Sequence, residues 1–431
     1  MRSAAPHTTA PSASTQRLAP YAWLIILQSF VTNGVLFGIW FSFAVFFVAM
    51  LEEFHWSRGG AAAAFSVGSI MQAVSAPVAG LLLDRWGPRR IVASGLGIMA
   101  LGLAACSLVQ ALWHLTLLFG VVVGIGIGLA GQVSQSALLS VWFVKRRGTI
   151  IGFAFAGMGL GVQLIGPLAQ RLILSLGWRQ TFVVLASGVA VYALAVALTL
   201  RNTPRQVGLL PYGAAEQAPA GSGAVATASR PAAHPWTVAQ ALRTREFWAL
   251  SLAQVLIPTG IFPISVHQVA YLTDLGFAKL VAAAILGHMG LMSALGRLLF
   301  GAMSDRLGRF GGVTLSVLCS QIGILVLLWV SNDAVLWPLY VYAVFFGLGY
   351  GARGPIISAI AADLFPGRSF GTIFGLMSIG HGLGGAFGPW YGGYVYDLLG
   401  SYRPAFIMAF CALFGVIACF WVATRRLVIP R

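Results

Sequence analysis

Twelve apolar runs, each long enough to cross a lipid bilayer, dominate the chain. A helix needs about 20 such residues to span the hydrocarbon core. The runs fall at approximately 22–50, 60–83, 91–110, 114–143, 149–174, 180–200, 246–272, 280–303, 311–331, 335–362, 369–396 and 404–424. Only 8% of the 431 residues are charged. Soluble domains carry roughly 25%, so a water-soluble protein lacks the polar surface it needs here. Disorder is excluded by the 58% hydrophobic content. The expectation is an all-α polytopic membrane protein with twelve transmembrane helices in two pseudo-symmetric six-helix bundles, 22–200 and 246–424. The interval 201–245, rich in Ala, Pro, Gly and Ser, reads as a flexible cytoplasmic linker. Residues 1–21 read as a disordered cytoplasmic tail and 425–431 as a second one. The first span reads as a retained helix, because the tail before it holds no compact apolar core or cleavage site.

The net charge of +16 is a matter of topology. With the N-terminus in the cytoplasm, 19 Lys and Arg fall on the inner side and five outside, and only Arg297 and Arg353 lie within spans. That bias places both termini in the cytoplasm, beside the anionic leaflet of the cell (inner) membrane. No basic stretch is interleaved with aromatics, so no nucleic-acid partner is expected. Cys106, Cys319, Cys411 and Cys419 each lie in an apolar run without a CxxC pair, and read as small buried hydrophobes. No cofactor or metal motif is present, and Gly347-Leu-Gly349-Tyr-Gly351 lacks the preceding strand that a phosphate-binding loop requires.

The halves echo each other. Gly80-Leu-Leu-Leu-Asp84-Arg85-Trp-Gly87 follows the second span and Gly301-Ala-Met-Ser-Asp305-Arg306-Leu-Gly308 the eighth, at an offset of 221. Gly148-Thr-Ile-Ile-Gly152 and Gly371-Thr-Ile-Phe-Gly375 open the fifth and eleventh spans at an offset of 223. Duplicated bundles of this kind build many secondary carriers, with the substrate between the halves. The aspartates suit helix N-termini and the arginines suit acids across the seam, so Asp84, Arg85, Asp305 and Arg306 are the expected inner gate.

No carboxylate lies at mid-depth, whereas two arginines do. Arg297 lies about 8 Å, and Arg353 about 6 Å, inward of the middle of its span at 1.5 Å per residue. With His381 they form a cationic set confined to the second half; the repeat pairs them with Ala76, Gln132 and Met158. Intramembrane charge is costly and marks function by default, and guanidinium binds carboxylate bidentately. An anionic substrate is therefore expected. The alternatives are an inter-helix lock for Arg297, a partner in Asp363 for Arg353, and a close helix crossing at Gly380-His381-Gly382. Gln132, Asn33 and Tyr350 are lesser site candidates, since polar side chains in spans often only join helices. His267 and His288, toward the outer ends of their spans, are candidate access-path groups.

The doubled motif resembles the signature loop of the major facilitator superfamily, over essentially the whole chain. Trp142-Phe-Val-Lys145-Arg146-Arg147-Gly-Thr-Ile-Ile-Gly152-Phe-Ala-Phe-Ala-Gly157 resembles the signature leading into the fifth span of monocarboxylate and oxalate/formate-type carriers. Phe54-His-Trp56-Ser-Arg58 and Gly177-Trp178-Arg179 support that resemblance. It implies that Arg297 is a substrate ligand and that His381 stands about where oxalate-type carriers place a lysine. Two positions depart: Ser293 replaces the aspartate one turn before the arginine of proton-coupled relatives, and Phe41 replaces their first-span lysine. The expected function is a secondary active transporter of small organic anions, chiefly monocarboxylates, working by alternating access as a monomer. Coupling to a proton or a counter-anion and simple uniport are alternatives. An exporter of hydrophobic compounds in the same fold is the runner-up. A sensor lacks room for a signalling domain, and an enzyme lacks a nucleophile–base pair.

Overall fold

The computed structural model describes residues 19–213, 236–332, 335–367 and 369–428. Both tails up to those limits, the middle of the linker, Asp333 and Arg368 lie outside the described residues. Among the described residues, eleven helical stretches are long and apolar enough to cross a membrane, and one of them, Arg58–Cys106, is two spans broken at Gly87. The twelve are α1 (Pro20–Phe54), α2 (58–86), α3 (88–106), α4 (Leu112–Trp142), α5 (Arg147–Leu176), α6 (Trp178–Thr199), α7 (Arg245–Asp274), α8 (279–307), α9 (309–329), α10 (Trp337–Leu364), α11 (Phe370–Leu399) and α12 (Arg403–Val428). Pro20 opens α1, where a missing N–H costs nothing. The Ser57 and Thr244 hydroxyls cap α2 and α7 by accepting from the Gly60 and Phe247 N–H groups at 3.2 Å. The repeat is visible in the backbone: Gly87 (φ 76°, ψ 163°) and Gly308 (φ 79°, ψ 161°) break the chain in the same way, in a region where a Cβ would be strained.

Packing follows the repeat. Lipid tails supply no hydrophobic drive between helices, so close approach depends on small residues. Within the first half Gly34 and Gly161 bring α1 onto α5, and within the second Gly384 brings α11 onto Val255 of α7. Between the halves, Gly382 and Gly385 of α11 meet Ala73 and Ser69 of α2, and Gly159 of α5 meets Gly290 of α8. Exchange of the halves maps each seam onto the other. Of the cysteines, Cys106 and Cys419 are buried as expected, Cys319 is half-buried, and Cys411 is exposed on the outside of α12.

Two features depart from the twelve regular spans and free linker expected. The chain after α6 is docked: Tyr212 N–H donates to the Trp142 carbonyl (2.9 Å), and the Val144 and Lys145 N–H groups donate to the Tyr212 carbonyl (3.0 and 3.1 Å). On the return side Trp236 packs edge-on against Phe365 at 5.3 Å. Meanwhile α4 is interrupted at Gly131 (φ −79°, ψ −146°) after a wider, π-type turn over Thr116–Val123. Ser134 and Gln135 donate their side-chain hydrogens to the freed carbonyls of Leu129 and Ala130. Freed backbone groups in a membrane helix need such partners.

The two ends of the molecule differ. At the end opposite the basic loops, Arg58 of α2 joins the halves. Its guanidinium donates to both oxygens of Asp274 on α7 (2.5 and 2.9 Å) and to the Tyr402 hydroxyl (2.9 Å), and lies 3.7 Å from the centre of the Tyr396 ring. The Arg58 and Gly59 N–H groups at the start of α2 donate to the Asp397 carboxylate of α11, both at 2.8 Å. A carboxylate suits the positive end of a helix. Lys279 pairs with Glu52 at 2.5 Å across the same seam. Burial pushes the ionisation of Tyr402 up, so it stays a neutral phenol in this clasp. At the basic end the motif loops part. Asp84, Arg85 and Arg306 are exposed, and the Asp305 side chain lies outside the described residues. Arg89 bonds Asn202 and the Ala197 carbonyl, and Arg309 pairs with Asp363 at 3.6 Å, each within its own half. A methyl added at Gly80, Gly152, Gly371 or Gly375 would meet nothing within 4 Å.

These contacts make two predictions. Gly161→Ala would set a methyl 1.9 Å from the Gly34 carbonyl oxygen, whereas Gly152→Ala meets open space. Overpacking costs about 1–3 kcal/mol, so the first is expected to lower the melting temperature by about 5 °C and the second by far less. Equal melting curves would contradict the α1–α5 contact. Arg58→Ala should release the clasp. Ser69, buried against Gly385 across the seam, reports on this as Ser69→Cys in protein without native cysteines. Maleimide labelling is expected to rise about tenfold, equivalent to about 1.4 kcal/mol, and unchanged labelling would show that this end is held by other contacts.

Candidate functional site

The seam of α5 with α8 carries the first of the predicted site residues. Gly296 lets α8 touch α10, since a methyl there would fall 2.0 Å from the Leu348 carbonyl oxygen. The next residue, Arg297, is half-buried and sends Nη1 across the seam to the Phe155 carbonyl of α5 at 2.5 Å. That bond joins the halves without neutralising the charge. The guanidinium borders a narrow cavity, with room for about one water, lined by Phe37 and Phe41 of α1, Met158 and Val162 of α5, Met289, Gly290 and Ser293 of α8, and Tyr350 of α10. Among the described residues, no carboxylate lines it. The first half thus offers aromatic, thioether and aliphatic surface, and the second offers the charge.

Arg353 takes a different position from the one its depth alone implies. Gly349 and Arg353, one turn apart on α10, face α9: a methyl at Gly349 would crowd Ser316 and Ser320, and Arg353 Nη2 donates to the Ser320 hydroxyl. Gly351 faces the other way, onto Ser293 and the Arg297 backbone of α8. Tyr350 lies between, electrostatically close to both guanidinium groups. Arg353 is 1% exposed, and its Nε and Nη1 have no hydrogen-bond partner. It is therefore a buried positive charge behind the wall of the cavity and does not line it. Its expected alternative partner, Asp363, is engaged by Arg309.

His381 is exposed to the cleft, with its ring edge-on to Phe262 of α7 at 5.9 Å. Gly385, one turn further on, reaches both Phe262 and Ser69, which orients this face of α11 toward the seam. Phe262 in turn meets Phe41 at 6.2 Å, and Phe41 meets Tyr350 at 6.3 Å. Arg297 and Tyr350 thus share the cavity with Phe41, the residue that departs from the lysine of the resembling carriers, and His381 lies one ring further away, beyond Phe262. The remaining candidates stand apart. Asn33 is fully buried and donates to the Ser29 and Ala154 carbonyls (2.8 and 3.3 Å), tying α1 to α5. Gln132 is exposed beside the break in α4 and is not part of the cavity wall. His288 bonds the Ala284 carbonyl of its own helix at 2.7 Å, and His267 is sealed beneath the clasp.

Sequence reasoning missed the clasp and the Phe155 carbonyl. A signal for the clasp was present: Glu52, Asp274 and Asp397 end spans on the side where Arg58 and Lys279 begin them. In a chain with ten acids, such a concentration of both signs at one face is a pairing pattern. A helical backbone carbonyl that receives an arginine from another helix has no sequence signature.

Comparison with known proteins agrees with this architecture. The sequence matches the Major Facilitator Superfamily over residues 29–335 and again over 293–430. It is 28% identical over 399 residues to monocarboxylate transporter 13 of Bos taurus, covering 90% of this chain and 86% of the relative. It is 26% identical over 404 residues to monocarboxylate transporter 11 of Homo sapiens, covering 90% and 80%. The fold matches a crystal structure of a bacterial homologue of the human lysosomal transporter Spinster in an inward-facing, occupied conformation. The TM-score is 0.69 at 16% identity, over 95% of this chain and 98% of that one. The chain thus belongs to the Major Facilitator Superfamily, as a multi-pass membrane transporter that resembles the monocarboxylate carriers and is not an enzyme.

Proposed function

We propose that this transporter moves small organic anions, monocarboxylates above all, and that Arg297 binds the carboxylate between the halves. One observation carries the reading: Arg297 stands in the seam with a backbone carbonyl as its partner and no acid in the cavity wall. A carboxylate entering the cavity supplies the missing negative charge and can take two parallel N–H bonds from one guanidinium. The relatives named as monocarboxylate transporters support this substrate class. Arg353 adds a second positive charge from behind Tyr350, and His381 stands beyond Phe262, further along the seam. Asn33 supports the first half through the α1–α5 contact, and Gln132, beside the break in α4, would meet the anion only along its path.

Alternating access follows from the two ends. In the described state the Arg58 clasp closes one end and the motif loops are apart at the other. In the opposite state the clasp is broken, and Asp84, Arg85, Asp305 and Arg306 close the basic end. We place that basic end in the cytoplasm of the cell membrane, with both termini there and 201–245 linking bundles 22–200 and 246–424. The apolar first-half wall favours a second reading, an exporter of hydrophobic compounds.

Uptake of radiolabelled lactate and of a dicarboxylate into proteoliposomes separates the two. Arg297→Ala is expected to lower kcat/KM for the carboxylate about 100-fold, equivalent to about 2.7 kcal/mol, with Arg297→Lys retaining part of the activity. Carboxylate uptake that survives Arg297→Ala unchanged would remove Arg297 from the site. Export of a hydrophobic dye at equal rates by both proteins, with no carboxylate uptake, would favour the second reading.

A further inference from the structure

His267 lies on α7 where α1, α11 and the turn before α12 converge, directly beneath the clasp. It is 0% exposed. Its Nε2 lies 2.8 Å from the Pro389 carbonyl oxygen of α11. A carbonyl oxygen only accepts, so Nε2 carries the proton and the neutral ring presents Nδ1 as a bare acceptor. Nδ1 is buried and has no hydrogen-bond partner. The ring is enclosed by Phe47 of the first half at 5.2 Å, by the Tyr402 ring at 4.9 Å and by the backbone at Gly392.

The charged and titratable groups around it are few. From α2 it faces Arg58, whose charge reaches the ring. From α11 come Tyr396 and Asp397, both engaged with Arg58. The turn before α12 brings Tyr402, whose hydroxyl accepts from Arg58, while α1 presents only Phe47. On α7 itself, Tyr271 donates to the Leu327 and Val330 carbonyls, and Asp274 is bound to Arg58. No acceptor among these groups is directed at Nδ1. A second proton on the ring would therefore create a buried N–H without a partner and a second cation beside Arg58.

We infer that His267 is a proton-binding site that fills only while the clasp is open. When α2 and α11 part, Phe47 and Arg58 withdraw from the ring with the first half, water reaches Nδ1, and the histidine takes up protons from that side. The ring must return its proton before the clasp re-forms. Acid on the clasp side thus holds that end open, and the alternating-access cycle is coupled to pH through a group remote from Arg297. This rests on the clasp opening during transport and not on the identity of the cargo.

Spin labels at Gln110→Cys and Leu336→Cys, exposed positions at this end of the two halves, report the clasped-to-open ratio by double electron–electron resonance in protein without the four native cysteines. For an open-state histidine with its ordinary pKa of about 6.5, lowering the pH from about 7.5 to about 5.5 multiplies the open population about tenfold. His267→Gln, whose amide can still donate to the Pro389 carbonyl, is expected to hold the ratio constant over the same range. A flat ratio in the native protein, or an equal pH response in His267→Gln, would overturn the inference. Should the variant fail to assemble, nitrogen-15 NMR of the His267 ring in the native protein decides. A neutral Nε2–H tautomer in the clasped state and titration in the open state support the site; a charged ring under the clasp, or one that never titrates when open, refutes it. Lactate uptake assayed alongside shows whether cargo binding at Arg297 holds independently.

Discussion

A positive charge held in hydrocarbon must be answered, and this molecule answers its buried arginines in different ways. Arg58 is met by a carboxylate, a phenol and an aromatic face, all from the other half. With its needs met it acts as a fastener. Arg297 crosses its own seam but finds only a helical carbonyl, which already serves the helix backbone and carries no net charge. The same residue type is therefore fully partnered at the end of the molecule and, among the described residues, bonded to a neutral carbonyl near its middle. Arg353 is a third case, retained behind Tyr350 with one hydroxyl and two idle N–H groups.

The two seams let these charges communicate. Along α2 and α11 the halves are joined from Asp397 and Gly59 down to Ala73 and Gly382, and along α5 and α8 from Gly166 and Ala283 down to Phe155 and Arg297. Each half is meanwhile welded internally by backbone contacts such as Gly34 on Gly161 and Gly351 on Ser293. In the cycle we propose, motion that spares the welds separates the clasp and brings the motif loops together. On that proposal, charge neutralisation at Arg297 and loss of the Arg58 contacts become two terms in one equilibrium.

Much of this was legible in the sequence, for physical reasons that can be stated. Span number and the pairing of halves follow from the apolar runs and from the repeated glycines: Gly87 and Gly308, predicted as equivalent, adopt nearly the same φ and ψ. The depth of Arg297 follows from helical rise. The face that Arg353 presents does not, because it depends on which neighbour Gly349 and Gly351 admit, a property of packing and not of spacing. Asn33 reads identically from sequence whether it faces a cavity or a neighbouring helix; the Ala154 carbonyl decides. The docking of Tyr212 on the 142–145 turn was hidden for another reason. It is made by backbone groups, and composition identified the segment only as polar and loose.

The interruption of α4 makes the halves mechanically unequal. Its counterpart α10 runs without a break through the equivalent position, residue 352, and carries Arg353 where α4 carries Gln132. A helix whose hydrogen-bond ladder is already severed, with the loose carbonyls taken up by Ser134 and Gln135, bends more easily than an intact one. Within the first half, compliance is thus concentrated at the break in α4, whereas α10 has Pro355, which lacks an N–H, as its own weak point. Flexure at Gly131 would reshape the first half without touching the cavity wall, which α1 and α5 supply from that side.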